Sequence, residues 1–324
     1  MDFQTLVDTD AVGIKIEHDE AVMMLGSCFA EDVGNLLKRS MLALCINPFG
    51  TLYNPRSIAQ SLRRLMADEP FSADELVAYG NLWHSMSHHS RFSSVDKDRA
   101  LQKINAAYAE GVACLRSARH LIVTFGTAYT FSTADGETVA NCHKMPASMF
   151  NRRMLSANEI ADEWIPLIDD IRKFNPHIDI TFTVSPVRHL ADGAHGNQLS
   201  KSTLLLAADS IMAQRPGVCH YFPSYEIMLD QLRDYRFFAA DMVHPSDVAV
   251  AYVAERFKAS CLSDHRARQA CTRCEKVYAR LLHRPLTDDS EAAEAFRAAT
   301  RRAADTLSAD MPYVKTIIDK LLKQ

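Results

Sequence analysis

The chain has 324 residues, 48% of them hydrophobic and 23% charged, with a formal net charge of −4 from 36 basic and 40 acidic side chains. Such a chain can bury a sizeable core in one large domain or two ordinary ones. The balance of charge excludes a global attraction to nucleic acid or to an anionic membrane, and the absence of an 18-residue apolar run excludes a predicted membrane-spanning helix.

The first residues, MDFQTLVDTD, lack the basic stretch and long apolar run of a signal peptide, so a cytoplasmic location is expected. Residues 22 to 26 (VMMLG) predict a first strand. Residues 29 to 39 predict a helix with Phe29, Val33, Leu36 and Leu37 on one side, and residues 41 to 46 (MLALCI) a second strand. Asn54 as N-cap and Pro55 at the first position open another helix. A long helix follows over 96 to 117. HLIVTFGTA, residues 120 to 128, is the clearest strand and leads into a hairpin through TADGET. A helix over 156 to 173 begins at Ser156, with Glu159 completing a capping box. Residues 178 to 186 (IDITFTVSP) predict a strand, 197 to 213 a helix, and GVCHYFPS a last short strand.

Strands alternating with helices of ten or more residues imply parallel strands, right-handed crossovers and helices on both faces. The predicted fold is therefore a three-layer α/β/α sandwich with a mainly parallel sheet over residues 1–262. From residue 263 the pattern is wholly helical, punctuated by Pro285 and Pro312. This extension, 263–324, is expected either to pack on the core or to serve a homo-oligomer.

In a parallel sheet, ligands bind beyond the carboxyl ends of the strands. Three segments that follow predicted strands carry polar residues a core does not need: Gly26-Ser27-Cys28, Asn47-Pro48-Phe49-Gly50-Thr51 and Gly126-Thr127-Ala128-Tyr129. Late in the chain, AADMVHPSD places Asp241 three residues before His244, just ahead of a helix. An aspartate so placed can fix the imidazole tautomer and stabilise its protonated form. Of eight cysteines, only Cys271 and Cys274 form a CxxC. With no second pair to complete a zinc site, they read as reduced thiols on a helix. His84, His88 and His89 look metal-like by composition but have no acidic or cysteine partner in sequence, so no metal is expected.

GSCFAED, NPFGTLYNP, FGTAYTF, NCHKMP, SPVRH and DYRFFAADMVHPSD, in this order over about residues 22 to 258, resemble the GSCFA-domain family, which is grouped with the SGNH/GDSL hydrolases. The resemblance implies a flavodoxin-like sandwich and ester-hydrolase-like machinery that needs no metal or organic cofactor. Laid on the G-D-S motif of those hydrolases, Gly26 matches Gly, Ser27 matches Asp and Cys28 matches the nucleophilic Ser. Cys28 is thus favoured as nucleophile, with Ser27 one residue earlier as the alternative. His244 is then the base and Asp241 its partner. A thiol at a helix N-terminus beside a histidine is expected to ionise readily, with a pKa of ~3.5–7.5.

For the oxyanion, the resemblance nominates Gly50 after the second strand and an Asn after the third. Ala128 stands in place of that Asn, leaving Thr127, Asn47 and Asn141 as substitutes. Gly126, His143, Lys144 and Arg188 are nominated to bind substrate, and Lys201 to open or line a helix at the same rim. The implied activity is hydrolysis or transfer of an acyl group on a small-molecule or carbohydrate ester, with no nucleic-acid or membrane partner. The competing expectation is a binding protein that kept the pocket without the chemistry.

Overall fold

In the computed structural model, which describes residues 4–284 and 291–323, Pro285 lies outside the described residues. The apolar run Ala21–Gly26 forms β1, paired in parallel with β2 (Ala43–Ile46) on one side and β5 (His120–Phe125) on the other. Beyond β5 come β9 (Asp179–Val184) and the short β10 (Cys219–Tyr221), giving a five-stranded parallel sheet of order β10-β9-β5-β1-β2. Successive side chains of a strand point to opposite faces. Here both sets are buried. Met23 and Leu25 join one core with Leu121, Val123, Phe125, Phe182 and Trp164. Val22, Met24 and Ile122 join a second on the opposite face.

The first core is closed by α2 (Pro55–Ala67), α3 (Lys97–Ser117), α4 (Ala157–Phe174) and α5 (Gly193–Gln214). The second is closed by α1 (Cys28–Leu37) and α7 (Asp247–Cys261), with the segment around Ile227 and Met228 that follows the short α6 (Ser224–Glu226). The expected α/β/α layering is thus present. Its helix starts are the ones the sequence marks. Asn54 accepts from Ser57 N, and Ser156 and Glu159 form a reciprocal capping box. Between α2 and α3, β3 (Leu76–Tyr79) and β4 (Leu82–Ser85) make a hairpin. After β5, β6 (Tyr129–Ser132), β7 (Thr138–Val139) and β8 (Asn151–Met154) make a three-stranded antiparallel sheet.

The hairpin β3–β4 and strand β8 are not legible in the sequence. Each strand has four residues, and β3 and β8 bury almost nothing, so neither carries a hydrophobic period.

After α7 come α8 (His265–Leu282), α9 (Glu291–Asp310) and α10 (Lys315–Leu321). Cys271 points into the second core, while Cys274 enters a separate cluster with Met41, Leu307 and Val314. One helix thereby joins two apolar clusters. Burial pushes the two thiols up to about 11 and about 12, against the thiolate form a metal needs. Among the described residues, no group of three or more His, Cys, Asp or Glu side chains could hold a metal ion, and no helix is long and apolar enough to cross a membrane.

Candidate functional site

Strand β1 ends at Gly26, and the chain turns at once into α1. Ser27 occupies the N-cap position in an extended conformation, yet its side chain does not cap the helix. It is 1% exposed, and its Oγ is buried without a partner. Cys28, the first residue of α1, is half-buried instead. The same turn therefore sends one side chain inward and leaves the next accessible. The expected low thiol pKa does not materialise. Burial pushes the Cys28 thiol up, and the Asp32 carboxylate one turn along α1 adds to that. The backbone N–H groups of Phe29 and Cys28 and the Lys201 ammonium oppose the rise without overcoming it.

The Asp241–His244 loop is preorganised by its own hydrogen bonds. Asp241 Oδ1 accepts from the backbone N–H of Val243 at 2.9 Å and of His244 at 3.0 Å, while Oδ2 accepts from His244 Nδ1 at 2.6 Å. Met242 supplies the tight turn with a φ of 58°. The backbone N–H groups of His244 and Val243, followed by the imidazole, hold the exposed Asp241 carboxyl down at about 2. The charge of His244 is felt by Asp32 on α1 and by His189 after β9. Val243 O, inside the same loop, accepts Arg188 N–H just beyond β9, so the pair stands past the carboxyl edge of the sheet. Among the described residues, His244 is hydrogen-bonded to neither Ser27 nor Cys28.

Two of the four nominated oxyanion groups, Gly50 and Thr127, are already committed, as is the N–H of Gly126. Gly50 N–H donates to Asn47 O at 2.7 Å, closing a turn. Gly126 N–H and Thr127 N–H both donate to Tyr53 O, at 2.7 and 2.9 Å. Thr127 Oγ1 pairs with Ser200 Oγ at 3.1 Å and accepts from Tyr129 N–H. Gly50 and Thr127 are thus structural in this state. Asn47 differs. Held at a φ of 47°, it accepts Gly26 N–H through Oδ1 at 2.8 Å, and its buried Nδ2 has no partner.

The substrate-binding nominees separate into two groups. Arg188 lies by the dyad: its N–H donates to Val243 O at 3.4 Å, and its guanidinium stacks 4.8 Å from the Phe238 ring centroid. Gly126 lies against Ser27 and Tyr53. The NCHK loop belongs elsewhere. Asn141 Oδ1 accepts His143 N–H, and His143 Nε2 meets Ser85 O at 2.8 Å, with the His84 ring 4.5 Å away. Left-handed His143 and Lys144 form a turn against the β3–β4 hairpin, with Lys144 exposed. The partners of His143 are therefore Ser85, His84 and His89, and not Cys28 or His244.

His88 completes this histidine group. Its ring stacks 4.7 Å from Phe49, meets Phe71 edge-on, and pairs with Ser85 Oγ at 2.8 Å. Burial among these aromatics holds it down to about 3 from 6.5. Folded His88 therefore stays neutral while the unfolded chain takes up a proton, so stability falls as pH drops below about 6.5 and keeps falling towards about 3. From pH 7 to pH 5 this one site is expected to remove about 2 kcal/mol. Urea denaturation of wild type and His88→Phe at both values measures it, and an equal pH dependence in the two chains would refute the assignment.

Two residues near the site, Tyr53 and His189, are not marked by the sequence, and a third, Lys201, is placed differently from its expectation. Tyr53 is half-buried, and burial, followed by the Cys28 sulfur, raises its hydroxyl pKa. His189, T-shaped to Tyr53 at 6.0 Å, is held down to about 4 by burial and by Lys201. Lys201, expected only at a rim, is wholly buried under the site. The motif SPVRH contained His189, but nothing in it marks which of its two basic residues faces inward.

The chain belongs to the GSCFA family, whose model matches residues 21–257 and so spans every strand of the central sheet. No curated protein sequence matches it. Among solved structures it is similar to an acetyl xylan esterase from the rumen bacterium Butyrivibrio proteoclasticus, at 12% identity and a TM-score of 0.30, with 78% of this chain and 62% of that one covered. The chain thus spans less than two thirds of that enzyme.

Proposed function

We propose that this protein is an acyl-ester hydrolase or acyltransferase in which Cys28 is the nucleophile, His244 the general base and Asp241 the residue that orients it. The observation that carries the reading is the split at the start of α1. Ser27 Oγ is sealed from solvent while Cys28 remains accessible, on the edge of the sheet where the Asp241–His244 pair is already assembled. A thiol whose pKa is raised rests protonated and needs a base. In the reaction, His244 Nε2 takes the thiol proton as sulfur attacks the acyl carbon. The tetrahedral oxyanion forms at the N-terminus of α1, where backbone N–H groups and the helix dipole favour negative charge. Collapse expels the alcohol, which takes the proton back from the imidazolium. The thioester left on Cys28 is then cleaved by water or by a second alcohol, with His244 again accepting the proton.

The substrate class that suits this chemistry is a small-molecule or carbohydrate ester, with Arg188 at the rim to meet its polar groups. A second reading, a binding protein without turnover, is favoured by one observation: the N–H groups of Gly50, Gly126 and Thr127 are all engaged.

Turnover of p-nitrophenyl acetate, with parallel labelling by iodoacetamide, separates these readings. Cys28→Ala is expected to lose roughly 10³-fold or more of the turnover, on the scale of nucleophile deletions, while Ser27→Ala keeps most of it. The reverse order would make Ser27 the nucleophile. No turnover by the wild-type chain on any simple ester would favour the binding protein.

A further inference from the structure

The end of α8, the middle of α9 and the end of the chain beyond α10 form a cleft of about 800 Å³. It lies outside residues 21–257, which the family model matches, and its volume is in the range of small-molecule sites. Its walls are basic. Arg280 comes from the last turn of α8, Arg284 from just beyond it and Arg301 from α9. Arg297 lines the cleft as well and is already engaged in a contact of its own. None of the described residues lining the cleft is acidic. Among the described residues, Arg280, Arg284 and Arg301 make no ion pair, whereas Arg273 on the same α8 pairs with Asp310 of α9. The dipole of α8 favours cations at its C-terminus, which accounts for Arg280 and Arg284. It does not account for Arg301, in the middle of α9. A second observation comes from Thr300, which also lines the cleft. It is 6% exposed, and its buried Oγ1 has no hydrogen-bond partner. A helical threonine commonly donates to the carbonyl four residues back, as Thr306 does to Arg302 O at 2.9 Å. Thr300 forgoes that bond and bears the full cost of desolvation.

We propose that this cleft binds a small soluble molecule carrying a di- or triphosphate, independently of the acyl-transfer site. The arginines take the phosphate oxygens, and Thr300 Oγ1 donates to one of them. A planar guanidinium matches two phosphate oxygens at once, and the pairing of opposite charges strengthens each bond. Several like charges without a counter-ion gain most from a ligand that brings several negative charges, which favours a polyphosphate over a single carboxylate. Phe296 supplies an apolar wall for the organic part. It is half-buried, with the His283 ring 4.8 Å and the Arg280 guanidinium 5.9 Å from its centroid. The concave shape favours a small molecule over a membrane surface. So do Glu291 and Glu294 in the first turn of α9, which oppose an extended anionic surface beside the cleft.

The test is titration calorimetry of the full chain with inorganic triphosphate, with phosphatidic-acid vesicles as a separate arm. One saturable site is expected, weakening as salt rises. Arg284→Gln and Arg301→Gln are each expected to weaken binding roughly tenfold or more, the scale of a charge-assisted hydrogen bond. Thr300→Val should weaken it about three- to tenfold, the scale of a neutral one. Arg284 and Arg301 are exposed, so both variants should fold, and melting curves without triphosphate check this. No saturable binding by the wild-type chain at roughly 1 mM triphosphate, or equal affinity in wild type and both arginine variants, overturns the proposal. Binding to the vesicles without binding of triphosphate overturns it as well and assigns the cleft to a lipid surface. Loss of folding in both arginine variants would make these side chains part of the helix packing, which also overturns it.

Discussion

Replacing His244 by Ala is expected to lower kcat/KM on an activated ester by roughly 10²–10⁴-fold, the range for loss of a positioned general base. The expectation follows from the state of the thiol. Burial and Asp32 keep Cys28 protonated at neutral pH, so its proton must be removed during attack. The fold should survive the substitution, because His244 is about half exposed and makes its side-chain bond to the equally exposed Asp241. The sign of the pH dependence also follows. With its folded pKa depressed to about 2, Asp241 stays ionised as pH falls until it reaches that value, so what it contributes to the loop is present above the ordinary carboxylate pKa and lost only in strong acid. An acid limb in the pH–rate profile at higher pH must therefore come from another group. Steady-state kinetics of His244→Ala across pH decides the matter, and activity within threefold of wild type would remove His244 from the mechanism.

The second large effect concerns Gly26, and it falls on stability. Gly26 sits at a φ of +138°, and a Cβ there would lie 2.1 Å from Thr124 O and 2.8 Å from Thr124 C. Those atoms are backbone of β5, held in register with β1, and cannot swing aside as a side chain might. Gly26 N–H also donates to Asn47 Oδ1, and its carbonyl accepts Leu52 N–H at 2.9 Å. Any shift that relieved the clash would break the turns that carry Asn47 and Cys28. Gly26→Ala is expected to cost ~4 kcal/mol or more, in the range reserved for named backbone and packing failures. Gly136→Ala is the control. It too has a positive φ, +86°, but open space where the Cβ would go, and should cost only about 1 kcal/mol. Urea denaturation of the two variants measures the difference, and equal midpoints would show that β5 can yield.

The sequence by itself determined what depends on neighbours along the chain. Alternating apolar runs and helical periods set the layers. Asn54, Ser156 and Glu159 marked helix starts because a cap bonds to residues three positions away. Asp241 and His244 were legible together for the same reason, since their three bonds close within one turn. Only the tertiary structure decided the rest. Whether Ser27 or Cys28 is accessible depends on how the turn after β1 packs against Thr124 and Gly126 of another strand and its loop. The engagement of Gly50 and Thr127 depends on Asn47, Ser200 and Tyr129, and the placement of the NCHK loop depends on a hairpin too short and exposed to show a period. Lys201 is the clearest case. In sequence it is a cation between two serines, expected only to open or line a helix at the rim. Its burial follows from carbonyls 75 and 16 residues away that only the assembled sheet brings to one point. A charge can be taken out of water only where such partners already converge, and that convergence is a property of the fold.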